Sequence, residues 1–359
     1  APEMVILPNG SALEKRYING YRNSIKFKIA DKTSYAQYWA PIAQKLRGIQ
    51  KVYLSPDGVY HSLNLMALQN PETKKFLADE TDIRILTNTK DLLRPQKDRP
   101  LASAALLGYP DYNTNLTQAD LDRQLAQRPK SLPDSVLLAQ RNFQPDQDIS
   151  LLEGTKLELE KIPALLQKRG MDTKTFIGQQ ASEETIKNLK SPAILHIATH
   201  GFFLPDAEEQ RDASRMMGMD KQKVFDKPLL RSGLLLANAK QAISEGGNGV
   251  LTAYEAMNLN LDDTELVVLS ACETGLGEVK NGEGVYGLQR AIQTAGAQTV
   301  IMSLWQVSDE ATQKLMTLFY DNWIAKGQPK REAFKNAQNT LRETYPEPFY
   351  WGAFVRVGE

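Results

Sequence analysis

Two residues in this sequence could together carry out nucleophilic attack on a carbonyl carbon, one as the nucleophile and the other as its base. Cys272 is the only cysteine among 359 residues, and His200 is one of three histidines. A thiolate is the reactive form of cysteine, and a nearby imidazole can take the proton of the thiol. The two residues therefore predict a cysteine nucleophile with a histidine base. The plainer alternative is an inert buried cysteine, because free cysteine often behaves as a small apolar core residue.

The segments that carry these residues predict two strands of similar design. The sequence reads LHIATHG at 195–201 and LSACETG at 269–275, so each mainly apolar run passes into small or turn-forming residues. Such runs are typical of strands buried on both faces of a parallel sheet, and ligands bind beyond the carboxyl ends of these strands. If the two strands are parallel neighbours, His200 and Cys272 project from the same edge of the sheet.

Strands alternate with helices through the second half of the chain, which predicts an α/β fold with a largely parallel sheet and helices on both faces. Strands are predicted at 173–177, 193–198, 232–237, 266–270, 299–305 and 350–357, and helices at 157–166, 182–189, 253–257, 285–295, 311–323 and 331–343. The first half predicts a strand from Val5, a helix at 34–46, strands at 51–55, 83–87 and 101–107, and a hairpin return at 59–61.

Residues 113–149 are rich in Gln, Asp, Asn and Pro, a composition typical of a surface excursion or linker. We therefore place a domain boundary inside this segment. The division gives a smaller N-terminal α/β domain, 1–148, and a main domain, 149–359. A chain of this length is expected to form two domains.

The composition restricts the classes of partner. Lys and Arg number 43 and Asp and Glu number 43, which argues against a broad nucleic-acid-binding surface. The sequence contains no apolar run long enough to span a bilayer, and we expect no membrane partner. A single cysteine indicates a reducing compartment, so we expect a cytoplasmic protein. The chain begins Ala-Pro-Glu without a Met, and we expect a fragment of a longer protein or a processed one.

Several motifs together resemble the CHAT-domain peptidases, which are relatives of caspases and separases that usually follow tetratricopeptide repeats. The motifs are HIATHG at 196–201, LSACETG at 269–275, GEGVYGLQRA at 282–291, AGAQTVIMSLW at 295–305 and VSDEAT at 307–312. Further matches are SPDGVYHSLN at 55–64, LLGYPD at 106–111 and YWGAF at 350–354. The resemblance covers most of the chain from about residue 50 onward.

The resemblance implies a caspase-like fold and a His–Cys dyad, with His200 as general base and Cys272 as nucleophile. It also implies an oxyanion hole made by the backbone N–H groups of Gly201 and Cys272. Gly201 suits this role because it has no Cβ and lets a carbonyl approach closely. By the same resemblance, residues 1–148 would be a smaller, catalytically empty, pseudo-caspase-like support domain.

The resemblance to separases places the substrate pocket near Trp305 and Asp309. Asp309 would pair a basic substrate side chain and Trp305 would form a wall of the pocket. As an alternative, Ser308 or Asp309 caps the helix that begins near residue 311. A preference for Leu or Met at the cleaved position also stays open.

Ser270 and Glu273, on either side of the cysteine, complete the candidate pocket. Glu273 would orient His200 or contact substrate, but we favour a structural role in which it caps the turn or pairs with Arg290. The long polar segment 205–228 is either a gating or self-cleaved loop or an insertion without a function in catalysis.

No cofactor or metal is expected. The spacing His196-x-x-x-His200 would bind a metal on a helix face, whereas here it lies on a strand. The Gly-rich segment 246–249 does not follow a strand into a helix, as a phosphate-binding loop does.

The sequence therefore predicts a cysteine endopeptidase that cleaves protein or peptide substrates through a thioester acyl-enzyme. We expect control by a tetratricopeptide-repeat region or another regulatory partner, and a role in bacterial signalling or defence. The alternative is a non-catalytic signalling or scaffold module that has kept the fold.

Overall fold

The computed structural model describes residues 2–93, 100–113, 148–203, 228–245, 247–271, 278–280, 284–306 and 308–358. The thirteen strands of this described part are β1 Lys51–Leu54, β2 Asp82–Ile85, β3 Ser103–Pro110, β4 Asp172–Gly178, β5 Ile194–Ala198, β6 Gly201–Phe203, β7 Ser232–Leu235, β8 Val250–Thr252, β9 Leu266–Ser270, β10 Glu278–Lys280, β11 Gly284–Tyr286, β12 Thr299–Ser303 and β13 Phe354–Val357.

Eight of these strands form the main sheet, in the order β1-β2-β13-β12-β9-β5-β3-β4. Neighbouring strands run parallel except at the β12–β13 pair, which is antiparallel. The predicted fold class, an α/β fold with a mostly parallel sheet flanked by helices, is therefore confirmed.

The helices of the described part are α1 Gly10–Ala12, α2 Ile18–Lys26, α3 Ala40–Ala43, α4 Leu77–Glu80, α5 Glu153–Lys168, α6 Glu183–Lys187, α7 Ala239–Glu245, α8 Ala253–Ala256, α9 Leu288–Thr294, α10 Asp309–Tyr320, α11 Lys330–Thr344 and α12 Pro348–Trp351. Wider π-helical turns at Leu13–Tyr17, Tyr35–Trp39 and Asp321–Ala325 extend neighbouring helices, and 3₁₀ turns lie at Gly58–Ser62, Leu65–Ala67, Thr89–Leu93 and Pro228–Leu230.

Two apolar cores cover the two faces of the main sheet. Along β9, Val267 and Leu269 pack into one core, whereas Leu266 and Val268 pack into the other. Side chains alternate between the faces of a strand, so a strand covered on both sides must be apolar at every position. This requirement explains why β9 and β5 appear in the sequence as continuous apolar runs. Helices α5, α10 and α11 cover the face that carries Leu266 and Val268.

A smaller antiparallel sheet, β6-β7-β8, lies beyond the carboxyl end of β5. It has its own core, to which Phe202, Leu235 and Val250 contribute together with Tyr112 and Ile149. Because β6 begins at Gly201, this small sheet continues the chain directly from His200. It therefore fixes the backbone on the far side of the candidate base.

The N-terminal part differs from two expectations. Residues 10–26 are helical rather than a strand from Val5, and Leu13, Tyr21 and Ile25 recur at helical spacing to fill a common core. The expected hairpin return at 59–61 is a 3₁₀ turn, because the Asp57 carboxylate accepts the N–H of Gly58 at 2.8 Å and starts a turn there. The predicted helix at 34–46 is present as the π-helical turn and α3.

The predicted division between residues 1–148 and 149–359 does not coincide with a division of the main sheet. β3, from the first segment, lies between β5 and β4, from the second. β2 pairs with β13 at the other end of the order. Strands from both sides of the predicted boundary thus belong to one sheet.

Candidate active site

β5 and β9, the strands that precede the two candidate catalytic residues, are parallel neighbours in the main sheet. Their register pairs Ala198 with Ser270, and the N–H of Thr199 donates to the Ser270 carbonyl at 3.3 Å. His200 follows Ala198 by two positions, and Cys272 follows Ser270 by two positions. The condition set in the sequence analysis, that the two strands are parallel neighbours, is therefore met. Cys272 and Glu273, including the expected Glu273–Arg290 pair, lie outside the described residues.

The imidazole of His200 is oriented by a backbone carbonyl that precedes α5. Nε2 of His200 lies 2.8 Å from the carbonyl oxygen of Ser150. A carbonyl can only accept, so Nε2 carries the hydrogen and donates it. In the neutral ring the basic nitrogen is then Nδ1. The bond to Ser150 thus defines which of the two ring nitrogens is the basic one.

Tyr112 also contacts His200, through both its hydroxyl and its ring. The Tyr112 hydroxyl accepts the backbone N–H of His200 at 3.3 Å and is 2.8 Å from the Thr199 hydroxyl. The tyrosine and histidine rings are tilted against each other with centroids 5.3 Å apart. Burial raises the pKa of Tyr112, so the hydroxyl stays protonated. The histidine is therefore held through both its main chain and its ring.

The electrostatic surroundings of His200 favour the neutral ring. Burial lowers the pKa of His200, while the hydrogen bond to Ser150 and the charge of Asp309 act in the opposite direction. Desolvation disfavours an imidazolium, and a nearby carboxylate favours it. Since burial is the largest of these effects, the imidazole is neutral near pH 7 and able to accept a proton.

Gly201 starts β6 next to His200 and pairs with Leu234 of β7. The N–H of Leu235 donates to the His200 carbonyl at 2.9 Å. In an antiparallel ladder, hydrogen-bonded and non-hydrogen-bonded pairs alternate, so the next pair, Gly201–Leu234, is a non-hydrogen-bonded one. The N–H of Gly201 therefore points away from β7.

A cavity of about 30 Å³ lies at the carboxyl ends of β5, β9 and β12. A cavity of this size holds water but not a long side chain. Five of the nine residues that line it carry a hydroxyl group and one carries a carboxylate, and they include Ser270 and Asp309, two of the predicted pocket residues. The residues that line it are Leu152, Thr155, Thr199, Ser270, Ala271, Ser303, Asp309, Thr312 and Phe354.

Asp309 links the two helices whose N-termini border the cavity. It begins α10, and its Oδ2 accepts the N–H of Gly154 in the first turn of α5 at 2.5 Å. Gly154 is required for this approach, because a Cβ there would lie 2.4 Å from Oδ1 of Asp309. Ser308 is the N-cap of α10 and accepts the N–H of Ala311. The capping alternative is thus confirmed for Ser308, and Asp309 both caps α5 and lines the cavity.

Trp305 is anchored next to this region but does not line the cavity just described. Its indole N–H donates to the Phe349 carbonyl at 2.9 Å, and its ring meets Tyr21 edge to face with centroids 6.4 Å apart. These contacts join the end of β12 to the N-terminal helices. A role of Trp305 as a pocket wall stays a prediction.

A fully buried polar network beneath the strand ends was not predicted from the sequence. Glu158 of α5 bonds Nε2 of His196 at 2.9 Å and accepts the Ser270 hydroxyl at 3.0 Å. Nδ1 of His196 lies 3.3 Å from the Tyr320 hydroxyl. Burial raises the pKa of Glu158. Both ring nitrogens of His196 are thus engaged within the protein.

One signal for this network was present in the sequence. Glu158 lies on the buried side of α5, at helical spacing from Ile162 and Leu166. A charged residue on an apolar helix face predicts a buried partner, because an unpaired buried charge is costly. The identity of that partner depends on which strand the helix covers, and local sequence does not specify this.

The CHAT domain family matches residues 32–359. The chain belongs to this family. The resemblance drawn from the motifs is confirmed, and the match extends across both of the segments into which the chain was divided.

Two curated relatives are tetratricopeptide repeat proteins. This CHAT chain is 29% identical over 163 residues to tetratricopeptide repeat protein 28 of Mus musculus and 32% identical over 112 residues to that of Homo sapiens. The matches cover 44% and 30% of this chain but only 6% and 4% of the relatives. The chain thus spans a small part of their length. Both relatives are mammalian, so the expected bacterial setting stays a prediction.

Solved structures with a similar chain path include a cysteine proteinase and a separase. The arginine-specific cysteine proteinase gingipain R is 11% identical, with a TM-score of 0.46 over 96% of this chain and 75% of that chain. Separase in the Saccharomyces cerevisiae separase–securin complex is 13% identical, with a TM-score of 0.42 over 85% of this chain and 15% of that chain. These likenesses concern the fold alone.

Within the described residues, no helix combines the length and the apolar character needed to cross a membrane.

Proposed function

We propose that this CHAT domain is a cysteine endopeptidase in which His200 is the general base and Cys272 the nucleophile. The observation that carries the proposal is the parallel pairing of β5 and β9, with Ala198 opposite Ser270 two residues before each candidate. The bond from Nε2 of His200 to Ser150 adds to it, because it makes Nδ1 the basic nitrogen of the neutral ring. Membership of the CHAT family is consistent with this chemistry.

The proposed reaction begins when Nδ1 of His200 takes the proton of the Cys272 thiol. The thiolate sulfur attacks the scissile carbonyl carbon, and the carbonyl π electrons move to the oxygen. Collapse of this intermediate breaks the C–N bond, and the imidazolium returns its proton to the leaving amine. Water, deprotonated by His200, then attacks the thioester and releases the carboxylic acid product and the thiol.

The developing oxyanion needs hydrogen-bond donors that are in place before the reaction. We propose the backbone N–H groups of Gly201 and Cys272 for this role. The orientation of the Gly201 N–H away from β7 supports the first of these, because β7 does not consume that donor.

We propose that the substrate side chain next to the cleaved bond lies near Asp309, Ser270, Trp305 and Glu273. The acidic Asp309 supports a basic side chain, although its Oδ2 already holds Gly154. A cavity of about 30 Å³ is too small for an arginine, so a basic residue would contact Asp309 from outside this cavity. A neutral Leu or Met is the alternative preference.

Peptides with Arg, Lys, Leu, Met or Asp at the cleaved position would distinguish these preferences. If Asp309 pairs a basic residue, Asp309→Asn, which keeps an acceptor for the Gly154 N–H, should lower cleavage of the Arg and Lys peptides at least tenfold and leave the Leu and Met peptides nearly unchanged near pH 7. Equal loss on all five peptides would instead indicate a structural role of Asp309.

Regulation by other parts of a longer protein forms the rest of the proposal. The relatives are tetratricopeptide repeat proteins of which this chain spans a small part, which supports a repeat region as the regulatory partner. A single thiol that must stay reduced supports a reducing compartment such as the cytoplasm.

The proposed activity can be tested by labelling the single cysteine. An acyloxymethyl ketone or iodoacetamide should modify the wild-type chain stoichiometrically, and the product mass locates the label without ambiguity. His200→Ala should slow labelling near pH 7, because the thiol loses its proton acceptor. Cys272→Ala should abolish both labelling and peptide cleavage.

The competing function is a signalling or scaffold module that retains the fold without chemistry. It predicts slow labelling that does not depend on His200, and no peptide cleavage in the presence of a repeat-domain activator. Cleavage that persists in Cys272→Ala would exclude the proposed dyad.

A further inference from the structure

Residues 114–147 separate β3 from α5. The chain on both sides of this segment contacts the candidate base. Tyr112, just before residues 114–147, holds the His200 backbone N–H through its hydroxyl. Ser150, just after them, accepts the Nε2 hydrogen at 2.8 Å. His200 is therefore placed between the two chain ends, and whatever fixes their separation also fixes the imidazole.

One side chain joins these two ends. Nδ2 of Asn113 donates to the Ile149 carbonyl at 2.9 Å, and Oδ1 of Asn113 accepts the Ile149 N–H at 2.9 Å. The amide thus reproduces the paired bonds of two adjacent strands. Ile149, at 3% exposure, and Tyr112, at 1%, then pack into the same small core.

We propose that Asn113 is a positioning residue for the general base. Its two bonds fix Ile149, the next carbonyl along the chain belongs to Ser150, and that carbonyl sets the tautomer and direction of the His200 ring. Asparagine is suited to this because its side-chain amide combines an N–H donor group with a carbonyl acceptor. The inference rests on the proposed role of His200.

A second set of contacts holds the chain on both sides of this segment against the start of α7. The N–H groups of Asn238 and Lys240 donate to the carbonyls of Asp111 and Tyr112 at 2.9 and 3.0 Å. Nζ of Lys240 pairs with Asp148 at 2.6 Å. These contacts do not involve the Asn113 side chain. Loss of the Asn113 amide should therefore loosen Ser150 without unfolding the small core.

The experiment compares Asn113→Ala and Asn113→Asp with the wild-type chain. Asn113→Ala removes both bonds, whereas Asn113→Asp keeps an acceptor for the Ile149 N–H and turns a second acceptor towards the Ile149 carbonyl. We expect kcat to fall about ten- to a hundredfold in both, since small misplacement of a catalytic group has effects of this size. KM should stay within about twofold, because Ser270 and Asp309 are not touched.

A spectroscopic measurement separates positioning from general structural damage. The chain has three histidines, so the imidazole ¹⁵N resonances can be assigned by substitution. His200 should show the Nε2–H tautomer in the wild type and a mixture of tautomers in Asn113→Ala, while His196, held on both sides, should not change. This readout does not require a known substrate.

Asn70→Ala is the matched control. The Asn70 side chain also accepts a backbone N–H, that of Glu72, at 3.0 Å, and it donates to the Glu80 carboxylate. Its loss should leave kcat and the His200 resonances unchanged.

The outcomes separate this inference from the proposed function. Wild-type kcat and an unchanged His200 tautomer in both Asn113 variants would overturn the inference, even if His200→Ala is inactive. Cleavage that survives in His200→Ala would overturn the proposed function itself.

Discussion

His200 combines two properties that a general base requires. Its Nε2 is committed to the Ser150 carbonyl, which defines the proton-accepting nitrogen, and burial lowers its pKa, which keeps the ring neutral. Asp309 opposes burial by favouring the charged ring. The balance between these effects determines the pH range in which the His200 ring is neutral.

Removal of the Asp309 charge should extend this range to lower pH. Asp309→Asn keeps an oxygen that can accept the Gly154 N–H but removes the charge that raises the pKa of His200. A base acts in its neutral form, so the rising acid limb of the pH–rate profile should move to lower pH. The measurement is the rate of Cys272 alkylation or peptide cleavage between pH 4.5 and about 8.

Asp321→Asn is the control for this substitution. Asp321 follows the last residue of the helix that Asp309 begins, about 18 Å away along the axis. Its substitution should not move the acid limb. An unchanged limb in Asp309→Asn as well would mean that the carboxylate does not act on the base.

At the scale of elements, the sequence predicted where the strands lie better than which strands pair with each other. β5 and β9 were predictable because both of their faces are buried, which forces continuous apolar runs. The position of β3 between β5 and β4 was not, because strand pairing is decided by contacts far apart in sequence. The sequence motifs nominated His200 and Cys272 as candidates but could not nominate Ser150, because Ser150 contacts His200 through a backbone carbonyl that any residue could supply.

The contact between α6 and β8 gives a pH-dependent prediction at this scale. Glu183 is 3% exposed and accepts the Gly249 N–H at 2.9 Å just before β8. Burial, followed by repulsion from Glu255, raises the pKa of Glu183 to about 7. Its protonated form is therefore favoured by folding, and this stabilisation is complete below the unfolded pKa and lost as the pH rises through about 7.

Glu183→Gln should remove this dependence while keeping an acceptor for Gly249. The free energy of unfolding of the variant, relative to wild type, should rise between pH 5 and pH 8, by up to about 3 kcal/mol. Denaturant unfolding at several pH values measures the difference. Glu184→Gln, an exposed position on the same helix, should give a difference that stays flat with pH. A flat difference for Glu183→Gln too would contradict the assigned cause.

At the scale of the whole molecule, the main sheet is built from both halves of the chain. β3 lies between β5 and β4, and its Leu106 and Leu107 are fully buried in the cores on opposite faces. Burial of one such side chain contributes about 1.5–3 kcal/mol. β5, which leads to His200, thus depends on a strand from the first half for one of its edges.

This dependence predicts that residues 149–359 do not fold alone. Without β3, β4 has no neighbour and β5 loses one of its two, so the fragment should aggregate or unfold without a cooperative transition. Co-expression with residues 1–148 should restore a soluble complex.

A full chain with a protease site introduced between residues 114 and 147 should stay associated after cleavage, because β3 remains paired on both sides. Size-exclusion chromatography and circular dichroism would detect each result. Cooperative unfolding of 149–359 by itself would instead support two independent domains and separate the candidate dyad from the first half of the chain.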